Sequence, residues 1–252
     1  MRLSQASRQK NPSRFAANSL LLISFCLAHV LIIPGLLRAE IIPPEKHLGF
    51  QPGQDFKLAS WSQITGYFRL LDEASDRVKV VELGQTTLGR PLILAIITAE
   101  ENMPELEKYR KIQERLHDPR GLSPGERARL IKEGKAVVYI SCSIHSTEIA
   151  ASQMSMELAY RLASDNSPEI KNILNRVILL LVPSANPDGI DLVTDWYYRN
   201  LGTPFEASPM PWLYHYYTGH DNNRDWFMLT QKETRLMARV LYREWFPLLV
   251  YD

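Results

Sequence analysis

The sequence predicts an α/β fold, a mostly parallel mixed sheet with helices on both faces. Two observations carry this. From residue 136 onward, short apolar runs alternate with stretches of helical period, a pattern that sets strands side by side with crossover helices between them. The runs are also continuously apolar, as in Val177-Ile178-Leu179-Leu180-Leu181-Val182, which suits strands covered on both faces. A third observation concerns position. Polar clusters at 145–148 and 186–189 come directly after such runs, and ligands of open α/β sheets sit beyond the carboxyl ends of the strands.

The N-terminus carries Arg2, Arg8, Lys10 and Arg14, with no acidic residue before Glu40, then an apolar run from Leu20 to Leu37 and a small residue at Ala39. That is the layout of a secretory signal peptide over residues 1–39, cut after Ala39; if uncleaved, the same segment is a membrane anchor. Residues 40–57, with Pro43, Pro44, Pro52 and Gly53, read as an extended lead-in. One domain comes next, residues 58–252, and about 210 residues suffice for a single sizeable core.

Within it, Ser60 caps a helix whose apolar face is Ile64, Tyr67, Phe68 and Leu71, and β-rich runs come after it at Val78 to Leu83 and Leu92 to Thr98. Leu106, Tyr109, Ile112 and Leu116 keep helical spacing. Ser123 and Glu126, with Pro124 between, form a capping box with proline at the first helical position. Then come a strand at 136–142, a helix at about 147–163, a Ser167-capped helix with Pro168, a strand at 176–182, a polar and aromatic loop from Trp196 to Phe227, a helix at about 230–245, and a strand at 247–251.

Bulk composition narrows the partners. Hydrophobic residues make up 45% of the chain, and 29 basic side chains face 28 acidic ones without any block of like charge, so no nucleic-acid surface is expected. Residues 1–39 hold five of the basic groups and none of the acidic ones. Their removal leaves 24 against 28, a charge near −4. Cys142 is then the only cysteine, which excludes a disulfide framework in the mature chain.

The run Val137-Val138-Tyr139-Ile140 leads within five residues to His145-Ser146-Thr147-Glu148. A histidine and a glutamate three apart on a turn or first helical turn project from one face, so an imidazole nitrogen and carboxylate oxygens can converge on a tetrahedral metal. Three further stretches keep it company: Gly84-Gln85-Thr86-Thr87-Leu88-Gly89-Arg90-Pro91 before it, and Asn186-Pro187-Asp188-Gly189 and Asp221-Asn222-Asn223-Arg224-Asp225-Trp226 after it. Together, over roughly residues 55–252, they make the chain resemble the zinc metallocarboxypeptidases of the carboxypeptidase A/B type.

The resemblance implies a zinc ion (Zn2+) held by His145 and Glu148, and C-terminal peptide-bond hydrolysis. Asn223 and Arg224 would bind the substrate's terminal carboxylate, a role that suits arginine's planar fork of donors. It also places Arg90 at the substrate groove and Arg199 where an arginine polarises the scissile carbonyl. Asp188 is read as a group able to orient a zinc-bound imidazole. Expected partners are peptide or protein C-termini, with cell-wall peptides as plausible as a protein tail, and a membrane only through an uncleaved N-terminus.

Here the sequence departs from the family pattern. The third zinc ligand in the family is a histidine at the end of a later strand, and the chain stops at Asp252 just before it would appear; the general-base glutamate lies further on. The reading is therefore of a catalytic domain truncated at its C-terminus, with the strand at 247–251 as an apolar edge and poor solubility as the consequence. His215 and His220 are the nearest other histidines, while His47 and His117 read as surface residues. Two alternatives stay open: a related zinc amidohydrolase or deacylase, and a non-catalytic module that binds peptide carboxylates.

Overall fold

Five strands form one mixed sheet in the order β1-β2-β4-β3-β5: β1 Val78–Gln85, β2 Pro91–Ile97, β3 Ala136–Ser141, β4 Val177–Val182 and β5 Leu249–Tyr251. This computed structural model describes residues 40–252, so the segment read as a signal peptide lies outside the described residues. No helix among the described residues is long and apolar enough to cross a membrane. β3, β4 and β5 are mutually parallel, which is the half of the sheet where strands and helices alternate in sequence. β1 and β2 form an antiparallel hairpin, and β2 joins β4 antiparallel.

Helices cover both faces, and the strand residues show why. Ile93, Ala95 and Ile97 of β2 and Leu179 and Leu181 of β4 enter one core with Ile64, Tyr67 and Phe68 of α2 (Trp61–Ala74) and Met156 and Ala159 of α5 (Ala150–Ser164). Their neighbours Leu92, Leu94, Ile96, Ile178 and Leu180 point the other way. They pack with Tyr109 and Ile112 of α3 (Leu106–His117), Leu130 of α4 (Pro124–Glu133) and Met237 of α8 (Lys232–Arg239). A period-two alternation inside a wholly apolar run thus feeds two separate cores.

Helix starts obey their caps. Ser60 accepts from the Gln63 amide at 3.3 Å while the Gln63 side chain accepts from the Ser60 amide at 3.0 Å, a reciprocal box. Ser123 and Ser167 cap α4 and α6 (Pro168–Arg176), each with proline as the next residue.

The structure corrects four expectations. The lead-in is not wholly extended: Pro44–Leu48 forms a short helix, α1, whose Leu48 enters the core, and the His47 ring donates to the Gln63 carbonyl at 2.8 Å. The helix expected from about 147 starts at Ala150, because Ser143 takes a left-handed backbone (φ 49°) and the chain must turn before it can coil. Asn186-Pro187-Asp188-Gly189 is the start of α7 (Pro187–Asn200), so Trp196 to Asn200 are helical and not loop. The same asparagine and proline that signal a turn also serve as N-cap and first helical residue. Finally, α8 gives way at Val240 to π-helical turns ending at Trp245, where Phe246 reverses the chain at φ 47°.

Candidate metal and carboxylate site

β3 and β4 end side by side, and their chains stay joined beyond the strands. Cys142 donates to the Val182 carbonyl at 3.0 Å and accepts from the Ala185 amide at 2.7 Å. Past this pairing the Ser143 hydroxyl donates to the Glu148 carbonyl at 3.2 Å and accepts from Ser152 at 2.7 Å, and the Glu148 amide closes a turn onto the His145 carbonyl at 2.9 Å. That turn puts His145 and Glu148 on one side.

Gly189, in the first turn of α7, presses on this loop. A side chain there would meet Asn186 Nδ2 at 2.4 Å and the Ser146 side chain at 2.6 Å, so only glycine lets helix and loop approach so closely.

The His145 ring is held on three sides. Its Nε2 lies 2.8 Å from Asp221 Oδ1, its Nδ1 3.2 Å from Glu148 Oε1, and its face rests on Tyr214 with centroids 4.5 Å apart. A carboxylate only accepts, so Nε2 carries the hydrogen that Asp221 receives. A neutral imidazole then turns the Nδ1 lone pair toward a second carboxylate oxygen, an arrangement that is favourable only with a proton or a cation between them. Burial pulls the His145 pKa down, but its hydrogen bonds to Asp221 and Glu148 outweigh this and raise it above its ordinary value. Two donors each about 2.0–2.1 Å from a tetrahedral zinc stand about 3.3 Å apart, so the Nδ1 to Oε1 separation fits a shared ion. Glu148 is mostly exposed, which leaves that side open.

Asp221 also starts a 3-10 turn, Asn222–Arg224. Its Oδ1 accepts from the Asn223 amide at 2.8 Å and its carbonyl from the Arg224 amide at 2.8 Å. Burial would raise its carboxyl pKa; the Asn223 amide, His145 and the nearby Arg224 charge hold it below the ordinary value. Asn222 points inward and donates to the Ile144 carbonyl at 3.1 Å, tying this turn to the residue before His145. Arg224 faces solvent beside half-buried Asn223. Asp225, fully buried, cannot serve Arg224, because it accepts from Thr230, the Gln231 amide and His220 instead.

Arg90 is occupied in a different way. Its guanidinium reaches Asp191 at 2.6 Å and Asp188 at 3.1 Å. Buried Asp188 also accepts from the Thr86 hydroxyl at 2.7 Å, the Leu88 amide at 3.0 Å and the Tyr217 hydroxyl at 3.0 Å. The carboxylate that orients His145 is thus Asp221 and not Asp188. Arg199 lies exposed in the last turn of α7, about 15 Å along the axis from Gly189, so the structure does not bring it to His145.

Buried His215 is held by Gln231 at 3.2 Å and stacks on Tyr217. No group of three His, Cys, Asp or Glu suited to a metal occurs among the described residues. The carboxyl end of β5 reaches the same rim, where Asp252 accepts from Ser141 at 2.6 Å and feels the charges of His145 and Glu148.

Sequence reasoning missed Asp221 and Tyr214 as partners of His145. The signal for Asp221 was present, two residues before Asn223-Arg224, but sequence distance gives no hint that the turn folds back 76 residues onto His145.

The profile of the zinc carboxypeptidase family matches residues 64–239. No curated protein matches the chain. Among solved structures, similar chains include carboxypeptidase A from Helicoverpa armigera (14% identity, TM-score 0.47, covering 80% of this chain and 48% of that one). The metallo-carboxypeptidase from Burkholderia cenocepacia matches at 19% identity and TM-score 0.47, over 73% of this chain and 38% of that one. The metallo-carboxypeptidase from Pseudomonas aeruginosa, solved with (2-guanidinoethylmercapto)succinic acid, matches at 17% identity and TM-score 0.45, over 75% and 37%. The chain spans less than half the length of these solved relatives.

Proposed function

The chain belongs to the zinc carboxypeptidase family, and from that premise we propose that the whole protein is a zinc-dependent metallocarboxypeptidase that removes C-terminal residues from peptides or proteins, cell-wall peptides included. The observation that supports this best is the His145 ring between Asp221 at 2.8 Å and Glu148 at 3.2 Å. With Asp221 holding the Nε2 hydrogen, Nδ1 and the Glu148 carboxylate face each other, and a cation can take the place of the proton between them. His145 Nδ1 and Glu148 would supply two of the three protein donors of a catalytic zinc. Zinc, when bound, polarises a carbonyl and lowers the pKa of its water to about 7.

The chain's own residues do the rest of the positioning. Asp221 fixes the ring, and through the same oxygen it fixes the turn that carries Asn223 and Arg224. Arg224, exposed and close enough for its charge to act on Asp221, is available to take a peptide's terminal carboxylate in a bidentate pair, with the Asn223 side chain beside it. Arg90 shapes the turn at 86–90 through Asp188 and Asp191, which leaves carboxylate recognition to Asn223 and Arg224. The basic and then apolar N-terminus supports action outside the cytoplasm.

The test pairs zinc titration with release of C-terminal residues, in the protein as expressed and in His145→Ala, Glu148→Ala and Arg224→Ala. The expected result is loss of zinc in the first two and a raised KM with zinc retained in the third. Zinc binding that survives His145→Ala, or binding of C-terminally amidated peptides as tight as that of free acids, would overturn the reading.

A further inference from the structure

We propose that Trp212 and Tyr216 form an aromatic platform beside His145 that binds a large apolar side chain of a peptide whose terminal carboxylate lies on Asn223 and Arg224. The inference rests on the carboxylate reading above and adds a substrate class to it.

Composition first sets this loop apart. Residues 207–219 contain no Asp, Glu, Lys or Arg, yet four of them are aromatic: Trp212, Tyr214, Tyr216 and Tyr217. Surface loops ordinarily carry polar residues, and exposed apolar area that is held together marks a contact surface.

The loop is anchored at its middle. The Tyr214 ring lies on His145, and its carbonyl accepts from the Ser146 hydroxyl at 3.2 Å and from Asn186 Nδ2 at 3.4 Å. Trp212 and Tyr216 stand two residues to either side, each within about 7 Å of Tyr214 along the backbone. Their rings nonetheless meet, 6.2 Å apart and tilted by 60°, while remaining 45% and 54% exposed. Leu213, equally exposed, extends the patch.

The Tyr216 side of the platform is braced from within the loop. Tyr216 sets its edge against Tyr217 at 5.6 Å, and Tyr217 stacks on buried His215 at 4.2 Å while its hydroxyl donates to Asp188. An exposed ring braced in this way loses little freedom on binding, which is what a recognition surface needs. With no formal charge from 207 to 219, ring-edge and dispersion contacts are the available forces, and these favour an aromatic or large aliphatic side chain over a charged one.

The test uses the full chain and four kinds of short peptide: all-alanine, or alanine with one phenylalanine at the second, third or fourth residue from the C-terminus, each as free acid and as amide. Calorimetry on the unmodified protein, Trp212→Ala and Tyr216→Ala gives the affinities. The expected result is that phenylalanine at one of these positions tightens binding by about three- to tenfold, and that either substitution removes this gain while all-alanine peptides bind as before. A gain that is absent, or that survives both substitutions, overturns the platform. Amide peptides separate the two readings: carboxylate dependence without aromatic preference sustains the clamp alone, and aromatic preference without carboxylate dependence sustains the platform alone.

Discussion

His145 Nε2 stands 2.8 Å from Asp221 Oδ1, and the same oxygen accepts the Asn223 amide at 2.8 Å. One carboxylate oxygen therefore sets both the tilt of the imidazole and the start of the turn that carries Arg224. The ring proposed to hold a metal and the turn proposed to bind a carboxylate meet at this atom.

Asp221→Asn separates the two roles. An asparagine oxygen still caps the turn, so stability should change by less than about 1 kcal/mol. The charge that holds the His145 hydrogen is lost, and zinc affinity should fall about 10- to 100-fold. Chelator competition reads the affinity and urea unfolding reads the stability; an unchanged affinity would show that Asp221 does not orient a metal ligand.

Gly189→Ala tests the packing beneath the site. The added methyl would lie 2.6 Å from the Ser146 side chain and 2.4 Å from Asn186 Nδ2, so α7 or the His145 loop must move. We expect a loss of about 1–3 kcal/mol together with weakened zinc binding, measured by urea unfolding and by titration. Loss of stability with zinc binding intact would mean that the helix yields and the loop does not.

Particular residues explain how much of the fold and site was legible in sequence. Val177 to Val182 announced a two-sided buried strand because side-chain alternation needs no partner to be read, and Ser60, Ser123 and Ser167 announced helix starts because a cap acts over three residues. His145 and Glu148 were visible as a pair because they share one turn. The Asp221 contact, the commitment of Arg90 to Asp188 and Asp191, and the meeting of Tyr217 with Asp188 join segments far apart in sequence, and local pattern carries no information about them. Asn186-Pro187 was ambiguous for a different reason: the same residues build a turn or open a helix, and packing of Gly189 and Ile190 against the rest of the chain decides between the two.

Asp225 gives a pH-dependent prediction. Burial would raise its carboxyl pKa, but hydrogen bonds from Thr230, Gln231 and Thr234 outweigh this and hold it down at about 2. A carboxyl depressed in the folded state adds stability that is complete above the unfolded value, about 3.9, and is lost as pH falls toward about 2. Asp225→Asn should therefore destabilise the chain at pH 7, by about 1–3 kcal/mol, and flatten the stability change between pH 4 and pH 2 relative to the unmodified protein. Urea midpoints across that range decide it, and parallel slopes in the two proteins would refute the role.

The end of the sheet supplies the last prediction. Among the described residues β5 pairs with β3 along one side only, and Leu248, Leu249, Val250 and Tyr251 are 74%, 54%, 53% and 66% exposed. Parallel strands are ordinarily covered on both faces, and an apolar edge with unpaired backbone groups invites another strand to add to it. The 252-residue chain alone should therefore self-associate at micromolar concentrations. Val250→Lys puts a charge into that edge without touching His145, Asp221 or Arg224, and should shift the chain toward monomer in light scattering while leaving zinc affinity unchanged. If association persists in Val250→Lys but falls in Trp212→Ala, the aromatic loop and not β5 is the adhesive surface.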